Sequence, residues 1–203
     1  MNVGRSAHLC TRAPTGKNQQ GYVMQRQKGL TLIELMIGVG LAGLLLSLGV
    51  PALSLFVQNG RQTAAVNEFV SSMHVARSTA VTTNARVTIC ASRSGNACDG
   101  AAWADGWIVF EDPDSDQAVD AGETIVASAD RKNDVVISSA EFPVFLSYRP
   151  NGRVANAGLN GSAGAFTVCD QRGAERAKVM LIDLSGRPRQ SKTMADGSNP
   201  ACA

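Results

Sequence analysis

Two short segments of this 203-residue chain carry the residues best suited to chemistry. The first is Gly186-Arg187-Pro188-Arg189, followed by Gln190-Ser191-Lys192, which sets two guanidinium groups and an ammonium directly after the apolar run Val179-Met180-Leu181-Ile182. Guanidinium forks match phosphate oxygens, and an Arg-x-Arg spacing can reach adjacent phosphates from one turn. The same residues also suit a solvated hairpin whose glycine serves the turn and whose arginines keep it soluble. Charge segregation weighs toward phosphate: residues 145–203 hold 8 Lys plus Arg against 4 Asp plus Glu, while residues 99–141 hold 2 against 11. A polyanion would be steered to the C-terminal part and repelled from the acidic part. Arg149 and Arg153 extend the basic patch if the fold brings them to the same face, which the sequence does not decide. Contacts of this kind go to backbone phosphates, with little sequence preference and a steep salt dependence, and no recognition helix is offered to read bases.

The second segment is the acidic stretch from residue 112 to 123. Asp112, Asp114, Asp116, Asp120 and Glu123 stand at its first, third, fifth, ninth and twelfth positions, the oxygen-ligand spacing of an EF-hand calcium loop. Gln117 occupies the place that wants glycine, and a strand rather than a helix leads in, so the stretch reads as a solvated acidic hairpin loop, with calcium as the alternative. No metal beyond that alternative and no cofactor is expected. Cys90, Cys98, Cys169 and Cys202 form no CxxC pair and have no neighbouring His to complete a zinc site, so two bridges are expected if the compartment is oxidising. Cys90 with Cys98 and Cys169 with Cys202 is the pairing that clips local loops.

Enzymatic constellations are missing. His74 is the one histidine after residue 29, and there is neither a nucleophile elbow nor a phosphate-binding loop. Gly38-Val39-Gly40-Leu41-Ala42-Gly43 matches GxGxxG in letters, but it lies within an apolar helix and follows no strand; its small residues suit close helix packing instead. The chain reads as a non-enzyme. Trp103 and Trp107 are the candidate platforms for stacking single-stranded bases. Trp107 alternates with Val109 and reads as core, while Trp103 in its Gly/Ala-rich loop stays open.

The elements that must position these residues are a helix and a set of strands. Residues 30–50 contain a single charge, Glu34; as a helix they reach ~31 Å, about one hydrocarbon core. Arg26 and Lys28 precede them, with no acid in residues 1–29, which sets the N-terminus in the cytoplasm and the rest outside. After Pro51 the stripe Val66, Phe69, Val70, Met73, Ala76 and Ala80 predicts an amphipathic helix ending near Thr82 or Asn84, with bends expected at Pro51 and Gly60. From residue 86 a period of two predicts strands around 86–90, 107–110, 124–127, 135–137, 145–148, 166–169 and 178–183. Overall the fold class is α+β, a long helix packed on an antiparallel sheet in one globular domain.

Lys28-Gly29-Leu30-Thr31-Leu32-Ile33-Glu34-Leu35-Met36 resembles the class III leader of type IV prepilins and type II secretion pseudopilins. Gly43 and Pro51 fall where pilins commonly carry a glycine and a helix-bending proline. The resemblance implies cutting after Gly29 by a prepilin peptidase, N-methylation of Leu30, which stands where Phe is more usual, and pairing of Glu34 with the N-terminal ammonium of a neighbouring subunit to fix register. An isolated carboxylate in hydrocarbon needs such a partner. The plan is then a leader over 1–29 with translation expected to start at Met24, a transmembrane and filament-core helix over 30–50, an amphipathic helix over 51–84 and a β-rich domain over 85–203. Cleavage removes five basic residues and leaves 14 against 17 acidic ones, or −3.

Cys90, Cys98, Asp105-Gly106-Trp107-Ile108-Val109-Phe110, the acidic loop with Gly122-Glu123, the Asn151-Gly152-Arg153 turn and Gly186-Arg187-Pro188-Arg189 are similar, in order, to the FimT/GspH family of minor pilins and pseudopilins. That resemblance covers nearly the whole chain and implies a pilin-like fold. In FimT-like proteins a GRxR motif in the C-terminal loop is associated with DNA capture for natural transformation, and Gly186, Arg187 and Arg189 match it. The expectation is a minor type IV pilin that binds DNA backbone through Gly186, Arg187, Arg189 and Lys192, with Arg149 and Arg153 in support. Its expected partners are other pilin subunits, the prepilin peptidase and the bacterial inner membrane before assembly into a pilus. The alternative is a GspH-type pseudopilin that primes a pilus or a type II secretion pseudopilus without touching DNA.

Overall fold

The structure, a computed structural model, describes residues 29–155 and 162–202; the leader residues 1–28 lie outside the described residues. The chain divides into two units, Met1–Leu46 and Ser47–Ala203, and helix α1, Leu32–Thr83, contributes to both. In the first unit the Glu34 N–H donates to Thr31 Oγ1 at 3.2 Å. Thr31 is thus the N-cap and Glu34 its third helical residue, where a carboxylate also meets the positive end of the helix dipole. Every described residue of this unit is exposed, including Leu32, Leu35, Leu41 and Leu45. The helix is long and apolar enough to cross a membrane.

In the second unit α1 continues without interruption through Pro51 and Gly60. Its buried residues are Gln62, Ala65, Val66, Phe69, Ser72, Met73, Ala76 and Ala80, the three- and four-residue spacing of one helix face. Asn84 closes the helix in the left-handed conformation, φ 53°. Eight strands follow: β1 Val87–Ala91, β2 Trp107–Glu111, β3 Ile125–Ala129, β4 Val135–Ser138, β5 Phe145–Tyr148, β6 Ser162–Asp170, β7 Lys178–Asp183 and β8 Pro188–Ser191. They form two antiparallel four-stranded sheets, ordered β3-β2-β1-β5 and β4-β6-β7-β8. Where the sequence predicts one sheet, there are thus two, and the eighth strand lies in a stretch that reads as a turn.

One core joins the helix face to both sheets. Phe69 sits at its centre, with the rings of Trp103, Trp107 and Phe166 edge-on at centroid distances of 5.2, 4.8 and 4.9 Å. Full burial of a side chain of this size is worth about 3 kcal/mol. Each indole N–H finds an acceptor, Trp103 at Phe142 O (2.7 Å) and Trp107 at Ser72 Oγ (2.9 Å), which removes the cost of burying it. Trp103, left open by the sequence, is therefore a core residue held by the short 3-10 helix Trp103–Asp105 and offers no face to a base. Trp107 is buried with it. Disulfides join Cys90 to Cys98 and Cys169 to Cys202.

Candidate nucleic-acid interface

Antiparallel pairing of β7 with β8 places Leu181 opposite Arg189 and Ile182 opposite Pro188. The turn between them is closed by Asp183. The Gly186 N–H donates to Asp183 O at 2.9 Å, and the Arg187 N–H and Ser185 hydroxyl donate to the Asp183 carboxylate at 2.9 and 2.6 Å. Burial pushes the Asp183 carboxyl up, but these donors, the backbone N–H of Ser185 and the Arg187 charge together hold it below the usual carboxylate range. Gly186 has φ 78°. A Cβ built there would stand 2.3 Å from Gly152 O and 2.9 Å from the Tyr148 ring, so only glycine lets this turn approach the next one so closely.

That neighbour is the turn over residues 149–153, following β5. The Gly152 N–H donates to Arg149 O and the Arg149 N–H to Arg153 O, both at 2.8 Å, while Tyr148 bridges Val154. Arg77, from the last third of α1, joins the two turns: its Nε–H donates to Gly152 O at 3.0 Å and to Ser185 O at 3.2 Å. Beneath them Tyr148 is fully buried, its hydroxyl driven far above its usual value by desolvation, so it stays neutral. The fold thus sets the turn that carries Arg149 and Arg153 against the turn that carries Arg187. Arg77 was not foreseen; its position between apolar stripe residues Met73 and Ala80 on a helix carried no signal of a link between two distant turns.

The motif itself is divided by the pleat. Leu181 belongs to a small apolar cluster with Ala165 and Val179 on the outer face of the second sheet, so Arg189, directly opposite it, shares that face. Met180 belongs to the main core, and Gln190 opposite it donates to Asn67 of α1 at 3.4 Å. Lys192 lies beyond the end of β8 and lines an open groove of about 950 Å³ together with Gln62, Arg176, Lys178, Gln190 and Pro200. It therefore stands apart from Arg189. Lys178 and Arg176, not singled out in the sequence, are the cations it joins. Arg149, Arg153, Arg187, Arg189 and Lys192 are all exposed, and none is engaged by an ion pair among the described residues.

A family model described as type II transport protein GspH matches residues 65–186, and one described as a prokaryotic N-terminal methylation motif matches residues 24–50. The crystal structure of the type IV minor pilin FimU of Pseudomonas aeruginosa in space group P21 is 19% identical over 70% of this chain and 98% of that one, with a TM-score of 0.50. The same protein in space group P65 gives 17% identity over 66% and 98%, with a TM-score of 0.48. No curated protein matches the sequence at a significant level. At these identities the likeness to FimU is one of fold. The GspH match spans more than half of the chain and takes in α1 from Ala65 and the strands β1 to β7, ending at Gly186 before β8, and the chain belongs to the GspH family.

Proposed function

We propose that this protein is a minor pilin whose paired arginine turns hold the phosphate backbone of DNA. The observation that carries the reading is the contact between the Gly186 turn and the Gly152 turn, fastened by Arg77, which sets the turn bearing Arg149 and Arg153 against the turn bearing Arg187. Arg189 follows on the outer sheet face, and Lys192 with Lys178 and Arg176 lines a separate groove. Exposed guanidiniums without carboxylate partners are available to phosphates at little desolvation cost. The methylation motif and the apolar helix support processing at Gly29, methylation of Leu30, residence in the bacterial inner membrane with the N-terminus in the cytoplasm, and assembly with other pilin subunits. In that assembly Glu34 sets register against the ammonium of the next subunit.

A salt titration of duplex binding, followed by fluorescence anisotropy, tests the reading. Wild-type protein is expected to bind with an affinity that falls steeply with salt, and Arg187→Ala/Arg189→Ala to lower the log–log slope by about 1–2 phosphate contacts. An absence of binding at low salt moves the function to the second reading. That reading, favoured by the GspH match, is a pseudopilin that primes filament assembly through protein contacts alone. Under it the double variant would impair filament assembly or secretion, not DNA uptake.

A further inference from the structure

We infer that the loop joining β2 to β3 is a calcium site, in which Asp112, Asp114, Asp116, Asp120 and Glu123 supply carboxylate oxygens to one hard divalent cation. Carboxylate oxygens of Asp112, Asp114 and Asp116, one from each, lie within 4.8 Å of one another, close enough for a single ion to bridge. Glu123 closes the same loop, its carboxylate accepting from the Asp120 N–H at 3.0 Å. No Lys or Arg occurs between residues 112 and 124 to neutralise this group. Like charges gathered on so short a loop repel, and a divalent cation is what turns the repulsion into binding.

A cluster of surface acids would not by itself call for an ion. Asp112 does, because it is not at the surface. It is fully buried, its backbone N–H donates to Arg86 O at 2.9 Å, and the Thr88 hydroxyl of β1 donates to its Oδ2 while sharing a 2.7 Å hydrogen bond with Ser147. Its Oδ1 is equally buried and has no donor among the described residues. A buried carboxylate oxygen without a partner is strongly unfavourable, and a cation held between it and the exposed Asp114 and Asp116 satisfies it. The sheet therefore fixes one ligand rigidly and leaves the others on an adaptable loop.

The backbone removes one of the two objections that the sequence raised; the other stands, since β2 leads directly into the loop. Gln117 stands where an EF-hand loop keeps glycine, and it nevertheless takes φ 63°, so the sharp bend is made without glycine. The Ala118 N–H donates to the Asp116 carboxylate at 2.8 Å and the Asp120 N–H to Glu123 at 3.0 Å, folding the loop back on itself. All donors are oxygens and five are carboxylates, which suits calcium with its loose six- to eight-fold shell better than magnesium, which needs strict octahedral geometry and keeps its waters.

The test is calorimetric titration of the full-length protein in detergent with calcium chloride after chelator treatment, alongside thermal melts with calcium, magnesium or chelator. One site with a dissociation constant of about 10⁻⁴–10⁻³ M is expected, the range of extracellular calcium modules. Calcium should raise the melting temperature, and magnesium at equal concentration should raise it much less. Asp112→Asn disturbs a buried network, so the exposed Asp114→Asn and the Glu123→Gln variants carry the test. Each should weaken calcium at least tenfold while melting no lower than wild type in chelator, since each relieves repulsion. Three results would overturn the proposal: no heat and no shift at millimolar calcium, an equal response to magnesium, or an undiminished calcium response in both variants.

Discussion

Gly186 shows how much of the arginine site rests on a missing side chain. Two costs fall on any replacement: the left-handed backbone at φ 78°, and the overlap with Gly152 O and the Tyr148 ring. Gly197 has nearly the same backbone, φ 83°, but nothing within 4 Å of a built Cβ. Gly197→Ala should therefore cost about 1 kcal/mol, the conformational part alone, whereas Gly186→Ala should cost about 3 kcal/mol and part the two turns. Urea denaturation of both variants measures the difference, which is the price of close approach. Asp183 offers a second test on the same turn. Because its folded carboxyl lies below the ordinary range, the stability it contributes is fully present above the unfolded value of about 4 and is lost as pH falls through the lower folded value. Asp183→Ala removes three hydrogen-bonded donors' common acceptor and should cost about 1–2 kcal/mol at pH 7. The penalty, measured by urea denaturation, should shrink at pH 3.

At the scale of elements the two disulfides divide their work by loop length. Cys90–Cys98 closes a separation of 8 residues beside β1, and Cys169–Cys202 closes one of 33, tying the C-terminal tail back to β6. Chain-entropy reasoning gives about 2.5 kcal/mol for the first and about 3.7 kcal/mol for the second. Thermal melts of Cys90→Ser/Cys98→Ser and Cys169→Ser/Cys202→Ser should rank in that order. Both pairings were legible because each clips a short stretch of chain. The amphipathic half of α1 and the positions of seven strands were legible for a similar reason: the period of the apolar residues changes from near 3.6 to 2 around residue 86. β8 was not, because Gly186 and Pro188 punctuate it as a turn. Proline is nevertheless tolerated as the first residue of an edge strand, where no partner needs its N–H. Arg189 then stands on the outer face of that strand and Lys192 beyond its end in the groove, a division that a run of basic letters does not display. Trp103 escaped for a different reason: a Gly/Ala-rich setting reads as loop, and only the packing of Phe69 and Phe166 against the indole makes it core.

At the scale of the whole molecule the two units differ in what holds them. Of the helix residues, burial begins only at Gln62, and the large apolar side chains from Leu30 to Phe56 are all more than half exposed. Gln62 already belongs to the second unit's interior, its amide donating to Val168 O and Arg176 O at 3.0 and 2.9 Å. Among the described residues, nothing that makes the aromatic core, the disulfides or the arginine turns lies before it. The apolar segment contributes insertion, in lipid or among other subunits, and not the stability of the β-rich part. A chain beginning at residue 58 should accordingly be soluble without detergent and melt within a few degrees of the full-length protein. A deficit larger than about 4 °C, of the order that 1 kcal/mol produces in a domain of this size, would show that residues before Gln58 stabilise the fold after all. The same truncation separates the two roles in function. If the arginine turns act alone, DNA binding and its salt slope survive the cut intact. If binding depends on subunits gathered by the helix, affinity falls while the slope per phosphate contact is unchanged.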